Sequence, residues 1–155
     1  MLIEIVAIGT KLPAWTEAGY EEYAKRLPRE WDLQVKELAV ARRGKTDSVE
    51  KLIQDEGKRM MAVVKPGAIV IALDREGTNW STEKLADNFG RWMQETSHIQ
   101  FLIGGPDGLS QECLQRANAR WSLSKLTFPH VYVRMLLAEQ IYRAWSIINN
   151  HPYHK

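Results

Sequence analysis

Hydrophobic positions along the chain fall into short apolar runs separated by amphipathic stretches. Leu2–Gly9 (LIEIVAIG) is short, β-branched and closed by glycine, the pattern of a buried strand. Trp15–Leu27 puts Tyr20, Tyr23, Ala24 and Leu27 on one side of a helix, which Pro28 ends. Leu33–Leu38 alternates apolar and polar residues and predicts a half-exposed or edge strand. A basic loop, Ala41–Thr46 (ARRGKT), leads to Asp47-Ser48-Val49-Glu50, where an acid three residues after the cap signals the start of a helix reaching about Val64. Ala68–Leu73 (AIVIAL) is continuously apolar, as in the middle of a parallel sheet, and Asp74–Asn79 reads as a loop. Ser81–Thr96 has Leu85, Phe89, Trp92 and Met93 at helical spacing, Ile99–Ile103 is a strand, and Gln111–Ala119 a short helix. A last helix runs from Pro129, suited to a first turn, towards Pro152, a stop.

About five alternations of strand and helix predict an α/β fold, with a mostly parallel sheet, helices on both faces and residues 1–155 as a single domain. In open α/β sheets ligands sit beyond the carboxyl ends of the strands. Those ends are Leu73-Asp74, Gly104-Gly105 and the Leu123–Phe128 turn, which together form the predicted ligand site. The last helix adds a second signal. Ala138, Ile141, Trp145 and Ile148 share a stripe with Arg134, while Leu136 and Ile147 fall on the other side with Arg143. A helix apolar on both sides buries both, one against its own sheet and one against a further partner.

Composition excludes more than it selects. Apolar residues at 45% and charged residues at 26% are ordinary for a globular chain, and a net charge of +2 neither requires nor forbids nucleic acid held by local basic patches. Glu4 interrupts the first apolar run, so no signal peptide is expected, and no apolar run approaches the roughly 20 residues of a bilayer span. The expected setting is the cytoplasm, with no membrane partner. The lone Cys113 reads as a small buried residue, and the four histidines show no metal-ligand spacing, so no metal is expected.

Candidate chemistry is sparse. Gly104-Gly105-Pro106-Asp107-Gly108 is neither a dinucleotide fingerprint nor a phosphate loop; it suits either close ligand approach or a tight turn. Ser122, Ser124 and Thr127 lack a nucleophile elbow and read as turn hydroxyls. Most of the tryptophans, Trp92 and Trp145 among them, read as packing residues. Arg134, alone on an apolar stripe, needs an anion, either a structural carboxylate or a ligand. Arg143 can pair with Glu139 at i, i+4.

Taken together, LIGGPDGL (102–109), SLSKLTFPH (122–130), R-x-x-L-A-E-Q-x-Y-R-A (134–144) and the terminal HPYHK resemble the ribosomal RNA large-subunit methyltransferase H family, minimal members of the SPOUT (α/β-knot) class. The resemblance covers essentially the whole chain. It implies a C-terminal trefoil knot, where the residues alone would suggest an ordinary doubly wound sheet. It implies S-adenosyl-L-methionine as cofactor, bound by Leu73, Gly104, Gly105 and the segment Leu123, Ser124, Lys125, Leu126, Thr127 and Phe128. It further implies methylation of N3 of a pseudouridine in large-subunit rRNA on the assembled ribosome, by a homodimer. On that basis His154 is the candidate proton acceptor, Arg143 and Arg134 the candidates for charge stabilisation, and Tyr153 for contact with the base. Two readings compete: a knot-class enzyme acting on tRNA, and a non-catalytic ribosome-binding protein.

Overall fold

The computed structural model describes all 155 residues. Five strands, β1 (Leu2–Ile8), β2 (Asp32–Leu38), β3 (Ile69–Asn79), β4 (His98–Ile103) and β5 (Ala119–Ser122), pair in parallel in the order β2-β1-β4-β3-β5. Five helices connect or follow them: α1 (Ala14–Ala24), α2 (Val49–Val63), α3 (Thr82–Glu95), α4 (Gln111–Arg116) and α5 (His130–Ile148). A 3-10 turn, Pro152–His154, closes the chain.

Strand alternation divides the core. Ile3, Ile5 and Ala7 join one cluster, in which α1, α3 and α5 pack, while Val6 and Ile8 join a smaller one beneath α2 and α4. The larger cluster holds 19 buried residues against 7, so most of the stabilisation lies under α3 and α5. Leu85 and Phe89 are fully buried there, each contributing about 1.5–3 kcal/mol. The edge position expected for β2 is observed, since it pairs with β1 alone.

Local chemistry sets the helix starts. The hydroxyls of Ser48, Ser81 and Ser110 accept from the N–H three residues on, in Lys51, Lys84 and Cys113. The cap of α2 is therefore Ser48, one residue later than the acid spacing suggests. Asp47 instead accepts from Gly44 N at 2.9 Å and braces the basic loop. Pro129 likewise sits at the cap of α5, just outside its first turn.

Two expectations are corrected. Asp74–Asn79 is not a free loop, because β3 continues through it and resumes pairing at Thr78–Trp121 after a register shift. Gly77 makes this possible: a Cβ there would meet the carbonyl oxygen of Arg120 at 2.7 Å. Residues after Arg116 are not helical; α4 ends and Ala119–Ser122 forms the outer strand β5.

On α5, Arg134, Leu137, Ala138, Ile141 and Ala144 are buried against the sheet, α1 and α3. Leu136, Trp145 and Ile147 are half-buried and Ile148 is 36% exposed, so the apolar stripe weakens towards the C-terminus of the helix.

Candidate active site

At the carboxyl ends of the strands lies a cavity of about 790 Å³. Leu73, Gly104, Gly105 and every residue from Leu123 to Phe128 line it, so three segments remote in sequence meet at one place. Gly108 N–H donates to Gly105 O at 3.0 Å, and Gly108 takes a φ of +89°, so the glycine segment is a tight turn as well as a cavity wall. Gly104 admits no side chain: a Cβ would stand 2.6 Å from the carbonyl carbon of Gly108. Ser122 Oγ donates to Ser124 O and Ser124 Oγ accepts from Leu126 N, each at 3.0 Å. These hydroxyls shape the loop, and neither is presented as a nucleophile.

Aromatic packing supports this wall. Trp121 is buried, stacks on Trp80 with ring centroids 5.1 Å apart, and lines the cavity. Its indole N–H has no acceptor within the chain. His130 and Val133, from the first turn of α5, complete the lining. Partial desolvation of the ring, ahead of the nearby Arg134 charge, lowers the His130 imidazole below its ordinary pKa, although the residue as a whole is exposed. A separate groove of about 400 Å³ beside α3, lined by Trp80, Lys84, Asn88, Arg91 and Trp92, contains none of the predicted site residues.

The tail builds a second cluster. After α5, Asn150 turns the chain with a φ of +54°, His151 N–H donates to Ser146 O at 2.8 Å, and the 3-10 turn folds back on the helix. Tyr153 OH then donates to Glu139 Oε1 at 2.9 Å, and Arg143 Nε donates to the same oxygen at 2.8 Å. The Arg143 guanidinium carbon lies 4.8 Å from the Tyr153 ring centre. Burial first, and then the Glu139 hydrogen bond, hold the Tyr153 phenol well above the usual tyrosine range. The same carboxylate raises the pKa of Arg143 further, keeping it a cation.

Ser146 Oγ gives its proton to Arg143 O at 2.7 Å and lies 3.4 Å from His154 Nδ1. With the hydroxyl proton already committed, that contact favours the tautomer protonated at Nδ1 and leaves Nε2 as the free acceptor.

Arg134 belongs to neither the cavity lining nor the tail cluster, although its helix neighbours His130 and Val133 line the cavity. It donates to Glu37 Oε2 at 3.1 Å and to Gly9 O at 2.8 Å, tying α5 to the ends of β1 and β2. Its Nε is buried without a partner. The anion that its apolar stripe demands is thus supplied within the chain.

Within one chain, then, Arg143, Tyr153 and His154 come together, and the cavity residues come together, but the two groups do not meet. Arg143 lies ten residues beyond Val133 on α5, about 15 Å along the axis. Beside the glycine turn, a buried carboxylate escaped the sequence reading. Glu56, 3% exposed, has an oxygen 2.8 Å from a would-be Cβ on Gly105. A carboxylate spaced by four between Leu52 and Met60, on the buried stripe of α2, was the available signal.

The sequence matches, over residues 1–154, a family described as predicted SPOUT methyltransferase. The chain belongs to the SPOUT methyltransferase family. Full-length relatives agree. A protein named Ribosomal RNA large subunit methyltransferase H from Nitrosococcus oceani is 51% identical over 155 residues, covering 100% of this chain and 99% of its own. Proteins of the same name from Methylococcus capsulatus and Pseudomonas aeruginosa are 48% and 46% identical, covering both chains completely. The α/β sheet with helices on both faces is the SPOUT methyltransferase core in this chain, and methyl transfer is its reaction class.

Proposed function

We propose that this SPOUT methyltransferase uses S-adenosyl-L-methionine to methylate N3 of a pseudouridine in large-subunit rRNA on the assembled ribosome. The observation that carries the reading is the convergence of Leu73, Gly104, Gly105 and Leu123–Phe128 on one cavity. The cavity suits the cofactor in three respects. Its volume lies within the range of small-molecule sites; Leu73, Leu123, Leu126 and Phe128 offer apolar cover; and Gly104 leaves the backbone open to close approach. The indole N–H of Trp121, a cavity residue, is buried and left without an acceptor in the chain. Bound there, the cofactor supplies an already activated sulfonium methyl, so no metal is needed.

The residues of the chain supply what the base requires. An imide N3–H must lose its proton for the nitrogen lone pair to react, and negative charge then develops on the flanking carbonyls. His154 Nε2 accepts or relays the proton. Arg143, oriented by Glu139, stabilises the carbonyl charge. Tyr153, kept as a phenol, donates a hydrogen bond or stacks rather than acting as a base. Arg134 fixes the start of α5 beside the cavity, and its charge reaches the site through that placement. Because the two groups are apart in one chain, a homodimer in which one subunit supplies the cavity and the other the tail unites them. A trefoil threading of the C-terminal segment, with tail and cofactor loops made late in the chain, belongs to the same proposal. The cytoplasm, where ribosomes are assembled, is the corresponding setting.

The test is transfer of labelled methyl groups to purified large subunits, assembled ribosomes and tRNA, followed by mass mapping of rRNA from cells with and without the protein. A new mass at a single pseudouridine, dependent on the protein, is expected. Labelling of tRNA alone, or of nothing, rejects the reading.

A further inference from the structure

Beside the cavity, the basic loop after β2 is built more firmly than a solvated charge run requires. Ala41 is 4% exposed, and its N–H donates to Glu56 Oε2 at 2.9 Å. Arg59 donates to Ala39 O at 2.7 Å, and Asp47 holds Gly44. Two struts then join this loop to the turn that lines the cavity. Glu56 accepts from Ala41 with one oxygen and lies against Gly105 with the other. Arg43 forms an ion pair with Asp107 at 2.6 Å. Arg42 and Lys45, both exposed, have no carboxylate partner.

Three cations within four residues, anchored at the strand ends of a chain whose net charge is only +2, concentrate positive potential at the cavity rim. Besides Glu56, two carboxylates stand at the loop: Asp47, engaged by Gly44 N–H and Lys51, and Asp107, which alone pairs with one of the three cations and belongs to the cavity turn itself. We infer that the loop Ala39–Thr46 is a docking surface for the backbone phosphates of the substrate RNA strand, and that a phosphate replaces Asp107 on Arg43 when the strand binds. Phosphate is the chemistry indicated, since guanidinium and ammonium groups with no competing acid recognise it by charge and by paired N–H donors. The exchange also frees Asp107, so RNA engagement acts on a wall of the cofactor cavity, and by linkage the cofactor acts back on RNA affinity. This inference rests on the proposed RNA substrate.

The experiment measures binding of the full-length protein to purified ribosomal particles across a salt series, with cofactor affinity measured by calorimetry in parallel. Arg42→Gln/Lys45→Gln should weaken particle binding roughly tenfold near 0.1 M salt and flatten the salt slope by about 1.4, at about 0.7 per phosphate contact, with cofactor affinity unchanged. Asp107→Asn should have the opposite sign and tighten particle binding, because Arg43 loses its internal competitor. Wild-type affinity and slope in the double variant overturn the docking surface; unchanged or weaker binding by Asp107→Asn overturns the exchange. If the wild-type protein methylates ribosomes while the double variant binds like it, only this inference falls. If the wild-type protein neither binds nor methylates them, the proposed function falls with it.

Discussion

Tyr153 and Glu139 are joined by a hydrogen bond of 2.9 Å that spans fourteen residues of sequence and pins the tail to the side of α5. Because Arg143 uses the same carboxylate oxygen, one side chain orients both the cation and the phenol assigned to the base. Glu139→Gln keeps the size but loses the charge that holds them. Turnover of rRNA substrate is expected to fall roughly 10- to 100-fold, since misplacement by about 1 Å is that costly. Cofactor affinity, measured by calorimetry, should stay near wild type, and a parallel loss of cofactor binding would contradict the assignment.

The Tyr153 phenol also has a pH signature. Burial and the bond to Glu139 raise its pKa in the folded protein above the ordinary value of about 10. Between these values the unfolded chain releases a proton that the folded chain retains, so stability should fall as pH rises through the ordinary tyrosine range. Tyr20, held up mainly by burial, adds to the same trend. Ultraviolet titration of wild type against Tyr153→Phe should show one tyrosine fewer among the late-ionising group. Denaturant melts should show a shallower alkaline loss in the variant; an identical loss would mean that Tyr153 ionises freely.

Gly104 tests the cavity. A methyl group there would press on the carbonyl carbon of Gly108 at 2.6 Å, and backbone cannot give way as a flexible side chain does. Gly104→Ala should therefore distort the turn and lower affinity for S-adenosylmethionine at least tenfold, about 1.4 kcal/mol. Circular dichroism should still report the α/β fold. Undiminished binding would remove the glycine turn from the cofactor site.

The parts legible in the sequence were those whose signal is local. The Gly104–Gly108 turn and the Ser122–Phe128 loop stand out because glycine and hydroxyl residues interrupt apolar runs at strand ends, and α/β topology then gathers such ends on one edge of the sheet. The continuation of β3 through Asp74–Asn79 was not legible, since a polar, glycine-containing stretch looks like a turn until β5 is seen to lie against Gly77. At four residues, β5 is too short to show a period. The partners of buried charges were hidden for a related reason. Glu37 meets Arg134 across 97 positions and Glu56 meets Ala41 across 15, and neither spacing is encoded in a helix or strand repeat.

Arg134 separates a structural from a chemical role. Its side chain is 7% exposed and its guanidinium bridges Glu37 and Gly9 O, so Arg134→Met should leave that carbonyl unpaired and cost about 1–3 kcal/mol by denaturant melts. Glu37 is 38% exposed, and Glu37→Gln should cost less, because water can replace part of what the carboxylate provides. If Arg134→Met abolishes methyl transfer with no loss of stability, the arginine acts directly on substrate instead.

The separation of cavity and tail along α5 yields the most demanding prediction. If each site takes its cavity from one subunit and its tail from the other, a subunit lacking residues 152–155 and a Gly104→Val subunit are each inactive as homodimers, for different reasons. Unfolded together and reassociated, they form heterodimers in which one site joins an intact cavity to an intact tail, while the second carries both defects. Random pairing makes half the dimers mixed, and each mixed dimer keeps one site of two, so activity should return to about a quarter of wild type at equal subunit concentration. Because Tyr153 and Arg143 are held about 9 and 15 Å along the helix from Val133, the nearest cavity residue on α5, a site confined to one chain would need the helix or the tail to rearrange. Such a site would show no recovery on mixing, whatever the ratio of subunits.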